Sequence, residues 1–190
     1  SISNSITTPI TKLAQGVSRV AAGDLEHKLS VSGKSREVID LQASFNKMSD
    51  DLKLYIRDLK ETTAANERIE NELKIAREIQ TGMLPRIFPP FPDRKEFDIF
   101  ATMEPAKEVG GDFYDFFLIN ERKLCFVIGD VSGKGVPAAL FMMISKTLLK
   151  NAGLQDVPPD RILAKANDII ALDNSAMMFA TVFCAILDIA

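Results

Sequence analysis

Two aspartates flanked by glycines carry the chemistry open to this sequence. Gly110-Gly111-Asp112 leads into Phe113-Tyr114-Asp115-Phe116-Phe117-Leu118, which reads as a strand, and Lys123 to Gly129 reads as the next, ending on Asp130. Asn120-Glu121-Arg122 lies between them as the turn. A hairpin centred on Glu121 sets Asp112 and Asp130 nine positions to either side, directly opposite each other. Opposed residues of an antiparallel pair have Cβ atoms about 4.5–5.5 Å apart and face the same way. Two carboxylates so placed repel, and one is driven neutral unless a cation lies between them. Magnesium and manganese, hard ions that keep several waters, are the cations such oxygens favour. Gly110 and Gly111 remove bulk where an ion, water or substrate must approach the backbone. Alternation turns Asp115 to the other face, so it ranks below the pair. The plainer alternative is that both aspartates end strands at solvent, as aspartates often do.

Other chemistries find little support. The only histidine, His27, lies outside this half, which excludes histidine-based catalysis there. Cys125 and Cys184 have no partner motif and read as buried strand positions; Met142, Met143, Met177 and Met178 read as core packing. The run Gly129-Asp130-Val131-Ser132-Gly133-Lys134-Gly135 departs from the phosphate-loop pattern, with three residues between its glycines and Gly135 after Lys134. Gly133, Gly135 and Ala138 match a dinucleotide fingerprint weakly, and no repeated strand–helix units follow. The run turns a strand into a helix from about Pro137 to Lys150, whose start offers backbone donors to an anion. A second helix opens at Pro158-Pro159 and runs to Asp173. Residues 97–104 and 179–187 read as two further strands.

These elements occupy one half of a divided chain. The whole has 190 residues, net charge −3, 46% apolar and 26% charged residues, which excludes a disordered acidic tail and a basic nucleic-acid module. Two cysteines are too few for a secreted disulfide framework. No apolar run reaches bilayer length, and no signal-peptide pattern opens the chain. Residues 1–84 hold twelve basic and twelve acidic side chains but one phenylalanine; residues 85–190 hold eleven basic, fourteen acidic and eleven phenylalanines. The first composition reads as exposed helix, the second as globular core. Four prolines within residues 85–92 mark the border as a stiff connector.

In the first half Ile6, Ile10, Leu13, Val17 and Val20 form a heptad seam, with Pro9 near its start. Gly23-Asp24 breaks it, and Leu25, Leu29 and Val31 alternate through an extended stretch to Gly33. A second seam runs from Val38 through Leu41, Phe45, Met48, Leu52, Tyr55 and Leu59, and more weakly through Asn66, Ile69 and Leu73 to Gln80. A long connector between the two helices makes them parallel, and a dimeric four-helix bundle would bury both seams. The layout resembles a HAMP domain over about residues 5–58. Ile6 to Val20 with Pro9, the Gly23-Asp24-Leu25 corner, Leu29, Val31 and Glu37 carry the resemblance. It departs at Arg36-Glu37-Val38-Ile39, where that family usually has Asp-Glu followed by Ile-Gly. The resemblance implies a relay that passes a conformational bias from an upstream sensor, usually beyond a membrane helix. The competing reading is an autonomous dimerisation coiled coil.

In the second half, Glu104 to Asp115 followed by Gly129-Asp130-Val131-Ser132-Gly133-Lys134-Gly135 resembles the bacterial SpoIIE/RsbU branch of the type 2C (PPM) serine/threonine phosphatases. Arg77-Glu78-Ile79-Gln80 to Leu84-Pro85 resembles the linker helix that precedes this domain, and Met178-Phe179-Ala180-Thr181 a later strand. The resemblance covers about residues 75–190. It implies a β-sandwich flanked by helices, with two Mn2+ or Mg2+ ions held by Asp112, Asp130 and the Val131 carbonyl, together with aspartates from later segments, one of them in a Thr-Asp-Gly-like motif. It also implies in-line attack of an activated water on phosphoserine or phosphothreonine, with small anti-anti-sigma-type regulatory proteins as substrates.

The expected fold class is α+β, a parallel helical HAMP/coiled-coil module followed by an incomplete β-sandwich phosphatase domain. The expected divisions are 1–58 for the relay, 59–84 for the linker helix, 85–96 for the connector and 97–190 for the phosphatase part. The chain reads as a fragment cut at both ends, lacking half its metal site. Its parent is expected to be a homodimer anchored upstream, on the cytoplasmic side of the membrane, with no nucleic-acid partner. Two rival functions are a non-catalytic dimerisation module and a nucleotide-binding domain.

Overall fold

The computed structural model describes residues 2–30, 35–104 and 108–189. Val31 and Gly33 of the connector, Pro105-Ala106-Lys107 and Ala190 lie outside the described residues, as does the side chain of Ile6. The chain divides into two compact units, Ser1–Ile69 and Glu70–Ala190.

In the first unit α1 spans Ile2–Ala21, and α2, which begins here, spans Arg36–Gly82. Pro9 lies inside α1 rather than near its start, because the helix begins at Ile2. Gly23 takes a φ of 95° and stops α1, with Asp24 N–H donating to the Arg19 carbonyl at 2.9 Å. The connector then descends along α2. Glu26 pairs with Lys53, and Lys28 with Asp50. The Leu29 backbone exchanges two hydrogen bonds with the Asn46 side chain, at 2.8 and 3.1 Å. Leu29 is buried against Gly16 of α1, where a Cβ would stand 3.0 Å from it, with Phe45 of α2 beside it. These pairings return the chain to begin α2 alongside α1, with both helices running the same way. Ser35 hydrogen-bonds Glu37 at the start of α2. Much of both seams is exposed: Ile10, Val17, Leu41, Met48, Leu52, Tyr55 and Leu59.

In the second unit β1 (Phe113–Asn120), β2 (Lys123–Val131) and β3 (Ala180–Asp188) form an antiparallel sheet in the order β1-β2-β3. Between β2 and β3 run α3 (Val136–Gly153) and α4 (Pro159–Leu172). Phe113, Phe117, Cys125 and Val127 of the sheet meet Met142 and Ile162 of the helices in one buried cluster. Pairing runs Phe113↔Gly129 to Leu118↔Leu124, the register centred on Glu121, and slips only at Asn120↔Lys123. Gly129 is required there, because a Cβ would stand 2.4 Å from the Phe113 ring.

Two expectations need correction. Residues 97–104 form no strand. Their alternate burial is present, but they have no ladder partner among the described residues, and aromatic contacts such as Phe91–Phe97 and Phe88–Phe100 hold the segment instead. Met177 is not core: it stands in a turn at φ 50° and is 85% exposed, whereas Met142 is fully buried. The described residues make one antiparallel sheet with helices beside it, in keeping with the expected α+β class and an incomplete sandwich.

Asp115 faces the helices, opposite to its neighbours. It is buried, and its carboxylate accepts from Lys146 Nζ at 2.7 Å and lies 3.6 Å from Lys150 Nζ. Its other oxygen accepts from the Phe116 N–H at 2.9 Å. A buried carboxylate that loses its cation is expensive, which fastens α3 to β1. Lys146→Met should destabilise the fold by about 3 kcal/mol in urea unfolding, and Asp115→Asn combined with it should cost clearly less than the two single changes together. Additive losses would mean that the pair does not act as a unit.

Candidate metal centre

The β1–β2 register decides where the two aspartates stand. Phe113 pairs with Gly129 at the end of the ladder, and one further step sets Asp112, at the entry to β1, opposite Asp130 near the end of β2. The two carboxyls are near enough to perturb each other. Partial burial pushes the Asp112 carboxyl above the usual carboxylate range, and the neighbouring Asp130 carboxyl pushes it further. Both side chains remain accessible at the rim of a cavity of about 800 Å³, whose lining includes Phe100, Glu104, Thr181 and Phe183.

Val131 contributes differently. Its side chain is buried in the core, while its backbone packs against Gly111. A Cβ on Gly111 would lie 2.9 Å from both the carbonyl oxygen and the Cβ of Val131. A side chain is therefore excluded at Gly111, and the Val131 carbonyl borders the backbone that delivers Asp112. The loop after Asp130 is pinned to the entry of β3: Ser132 N–H donates to the Phe179 carbonyl at 2.8 Å, and the Ser132 hydroxyl accepts from Phe179 N–H at 2.9 Å. Gly133 and Gly135 turn the chain into α3 at φ values of 87° and 73°.

Thr181 and Glu104, which the sequence offers only as parts of the family motifs, also line this cavity. Thr181 pairs with Asp130 across β2 and β3, and its hydroxyl donates to the Asp130 carbonyl at 3.3 Å. Two helices separate these strands, so no local spacing could set that register. The cysteines hold a smaller surprise. Cys125 and Cys184 occupy diagonal positions on β2 and β3, and interaction with the Cys184 thiol together with burial pushes Cys125 above the usual thiol range.

The donors available here are two carboxylates and a neighbouring backbone carbonyl, all oxygen. That set suits a hard divalent cation that keeps part of its water shell, and it does not suit a soft thiophilic metal. Among the described residues no group of three or more His, Cys, Asp or Glu side chains is gathered to hold an ion. The wholly antiparallel sheet contains no parallel strand–helix–strand unit among those residues, so the weak dinucleotide fingerprint lacks its structural context.

Two family models match the chain. Residues 1–54 match the HAMP domain family, and residues 120–190 match Stage II sporulation protein E (SpoIIE). The chain is 33% identical over 212 residues to Protein IcfG of Synechocystis sp., covering 96% of this chain and 32% of that protein. It is 32% identical over 119 residues to Phosphoserine phosphatase RsbU of Bacillus subtilis, covering 63% of this chain and 34% of that protein. It thus spans about a third of the length of these relatives. A solved SiaA-PP2C domain of Pseudomonas aeruginosa aligns with a TM-score of 0.49 and 27% identity, over 63% of this chain and 49% of that one. The chain carries a HAMP domain followed by a SpoIIE-type PPM phosphatase domain.

Proposed function

We propose that this chain belongs to a signal-regulated, metal-dependent protein phosphatase that hydrolyses phosphoserine or phosphothreonine on a bacterial regulatory protein of the anti-anti-sigma type. The observation that carries the reading is the enforced opposition of Asp112 and Asp130 at an open cavity. The naming of the RsbU relative as a phosphoserine phosphatase supports the substrate class.

Asp112 and Asp130 would hold Mn2+ or Mg2+, with the Val131 carbonyl as a third oxygen, and a complete domain would hold two ions. When bound, such ions lower the pKa of a coordinated water and neutralise charge on a transferring phosphoryl group. The chain's own part is positioning. The ladder sets the two aspartates opposite each other, and Gly111 keeps the backbone path beside Val131 free of a side chain. Phe100 and Phe183 give the cavity apolar walls against which a peptide flanking the phosphoryl group would rest. No cysteine or histidine is among the residues lining that cavity, so neither a thiolate nor an imidazole is offered as nucleophile.

The HAMP unit would dimerise through its exposed seam and pass a bias from an upstream, membrane-anchored sensor at the cytoplasmic face. None of the described helices is long and apolar enough to cross a membrane. A second reading, a non-catalytic dimerisation module, draws on the lack of a third gathered carboxylate among the described residues.

Metal binding separates the two readings. Calorimetric titration with Mn2+ should give saturable binding that Asp112→Asn and Asp130→Asn each abolish; titration without heat in the parent chain would favour the non-catalytic module. The same repulsion predicts an opposite effect on stability. With its pKa raised in the folded state, Asp112 favours folding when protonated and loses that contribution as pH rises from the ordinary carboxylate value through the raised one. Metal-free Asp112→Asn should therefore melt a few degrees above the parent at neutral pH and no higher at pH 3. A lower melting temperature at neutral pH would contradict the repulsion.

Dimerisation has its own test. Sedimentation should find the chain dimeric, and Val17→Asp with Leu52→Asp should shift it to monomer by charging the seam. A monomeric parent would remove the four-helix bundle from the account.

A further inference from the structure

The Gln80 side chain is the second unit's most unusual polar contact. It lies on the last turn of α2, is 2% exposed, and makes a reciprocal pair of hydrogen bonds with one residue, Gly110. Its Nε2 donates to the Gly110 carbonyl at 2.5 Å, and its Oε1 accepts from the Gly110 N–H at 3.2 Å. A carboxamide used in this way satisfies both backbone groups of a residue as a neighbouring strand would, at a point where no strand is present among the described residues. Gly110 stands two residues before Asp112. Val109 just before it is buried, and Gly111 just after it is packed against Val131. On the far side of Asp112 the Tyr114 hydroxyl donates to the Pro85 carbonyl at 2.7 Å, while Leu84 is part of the buried core. The segment from Gln80 to Pro85 thus grips the chain on both sides of Asp112 and leaves the carboxylate itself untouched.

Asp112 precedes the first ladder pair, Phe113↔Gly129, so the ladder alone does not fix its backbone. The Gln80 contact supplies the missing restraint. From this we infer that Gln80 is a positioning residue for the metal centre, holding the Gly110–Asp112 backbone so that the Asp112 and Asp130 carboxylates meet one cation at ligand distance. The inference rests on the reading of that pair as metal ligands. Partners that orient ligands in this indirect way typically change metal affinity by on the order of 10–100-fold when removed.

The test uses the whole chain, with Mn2+ as the probe and two readouts: affinity from calorimetry or from the electron paramagnetic resonance of free Mn2+, and amide hydrogen exchange at Gly110. Gln80→Met keeps the length of the side chain and removes both hydrogen bonds. It should weaken Mn2+ binding on the order of tenfold or more and speed exchange at the Gly110 amide, with the rest of the sheet protected as in the parent. Gln80→Glu keeps the acceptor and loses the donor, so it should fall between the two; it carries the test if the methionine variant does not fold. Ile162→Ala, a core change on α4, should lower stability and leave Mn2+ affinity unchanged. If the parent binds Mn2+, Asp112→Asn does not, and both Gln80 variants bind as the parent does, the inference falls while the metal reading stands. If the parent binds no Mn2+, or Asp112→Asn binds as well as the parent, the metal reading falls and takes the inference with it.

Discussion

Two carboxylates set opposite each other are an unfavourable arrangement, and the β1–β2 pairing imposes it. Left free, the side chains of Asp112 and Asp130 would separate into solvent; here burial and mutual repulsion raise the Asp112 pKa instead. The enforcement comes from backbone pairing. Once Phe113 is opposite Gly129, with its ring lying where a side chain on residue 129 would be, the next step brings the aspartates face to face. A cation would convert that repulsion into coordination, and perturbed carboxylates of this kind cluster at functional sites.

The same strands are fastened on their opposite face. Asp115 points away from the cavity and takes Lys146 and Lys150 from α3, the helix that the glycine-rich loop leads into. A strand with alternating faces thus uses one aspartate at the rim and another, three positions on, to anchor the helix whose start follows Asp130. Gln80 and Pro85 add a third hold, from the α2 end, on the residues flanking Asp112. Because side chains on a helix advance about 100° per residue, a small axial rotation of the last turn of α2 would withdraw the Gln80 carboxamide. A signal arriving along that helix would then have a direct route to the separation of the carboxylates.

What the sequence made legible follows the range of the interactions involved. The hairpin register depends on a short turn and on alternation, and symmetry about Glu121 located it from Phe113 to Leu118. The helices announced themselves by apolar spacing and by Pro158-Pro159 and the Gly133–Gly135 turn. Asp115 was turned to the correct face by simple parity, but its lysine partners lie thirty-one and thirty-five positions away and no local rule reaches them. The pairing of Thr181 with Asp130 and the diagonal approach of Cys125 and Cys184 were hidden for the same reason. Residues 97–104 mislead in an instructive way: alternating burial records contact on one side, whereas a strand also needs a backbone neighbour. Gln80 reads along the helix as a polar interruption of a seam, and only the fold gives it the Gly110 peptide as a partner.

Anomalous diffraction from crystals soaked in Mn2+ tests the central claim most directly, because it locates the ion instead of inferring it from activity. The account predicts an anomalous peak between Asp112 and Asp130, with carboxylate oxygens of both at roughly 2.0–2.3 Å, near the short distances expected for small hard divalent cations. Failure of any peak to appear there in the soaked crystals, or a peak bound only by other residues, would contradict it.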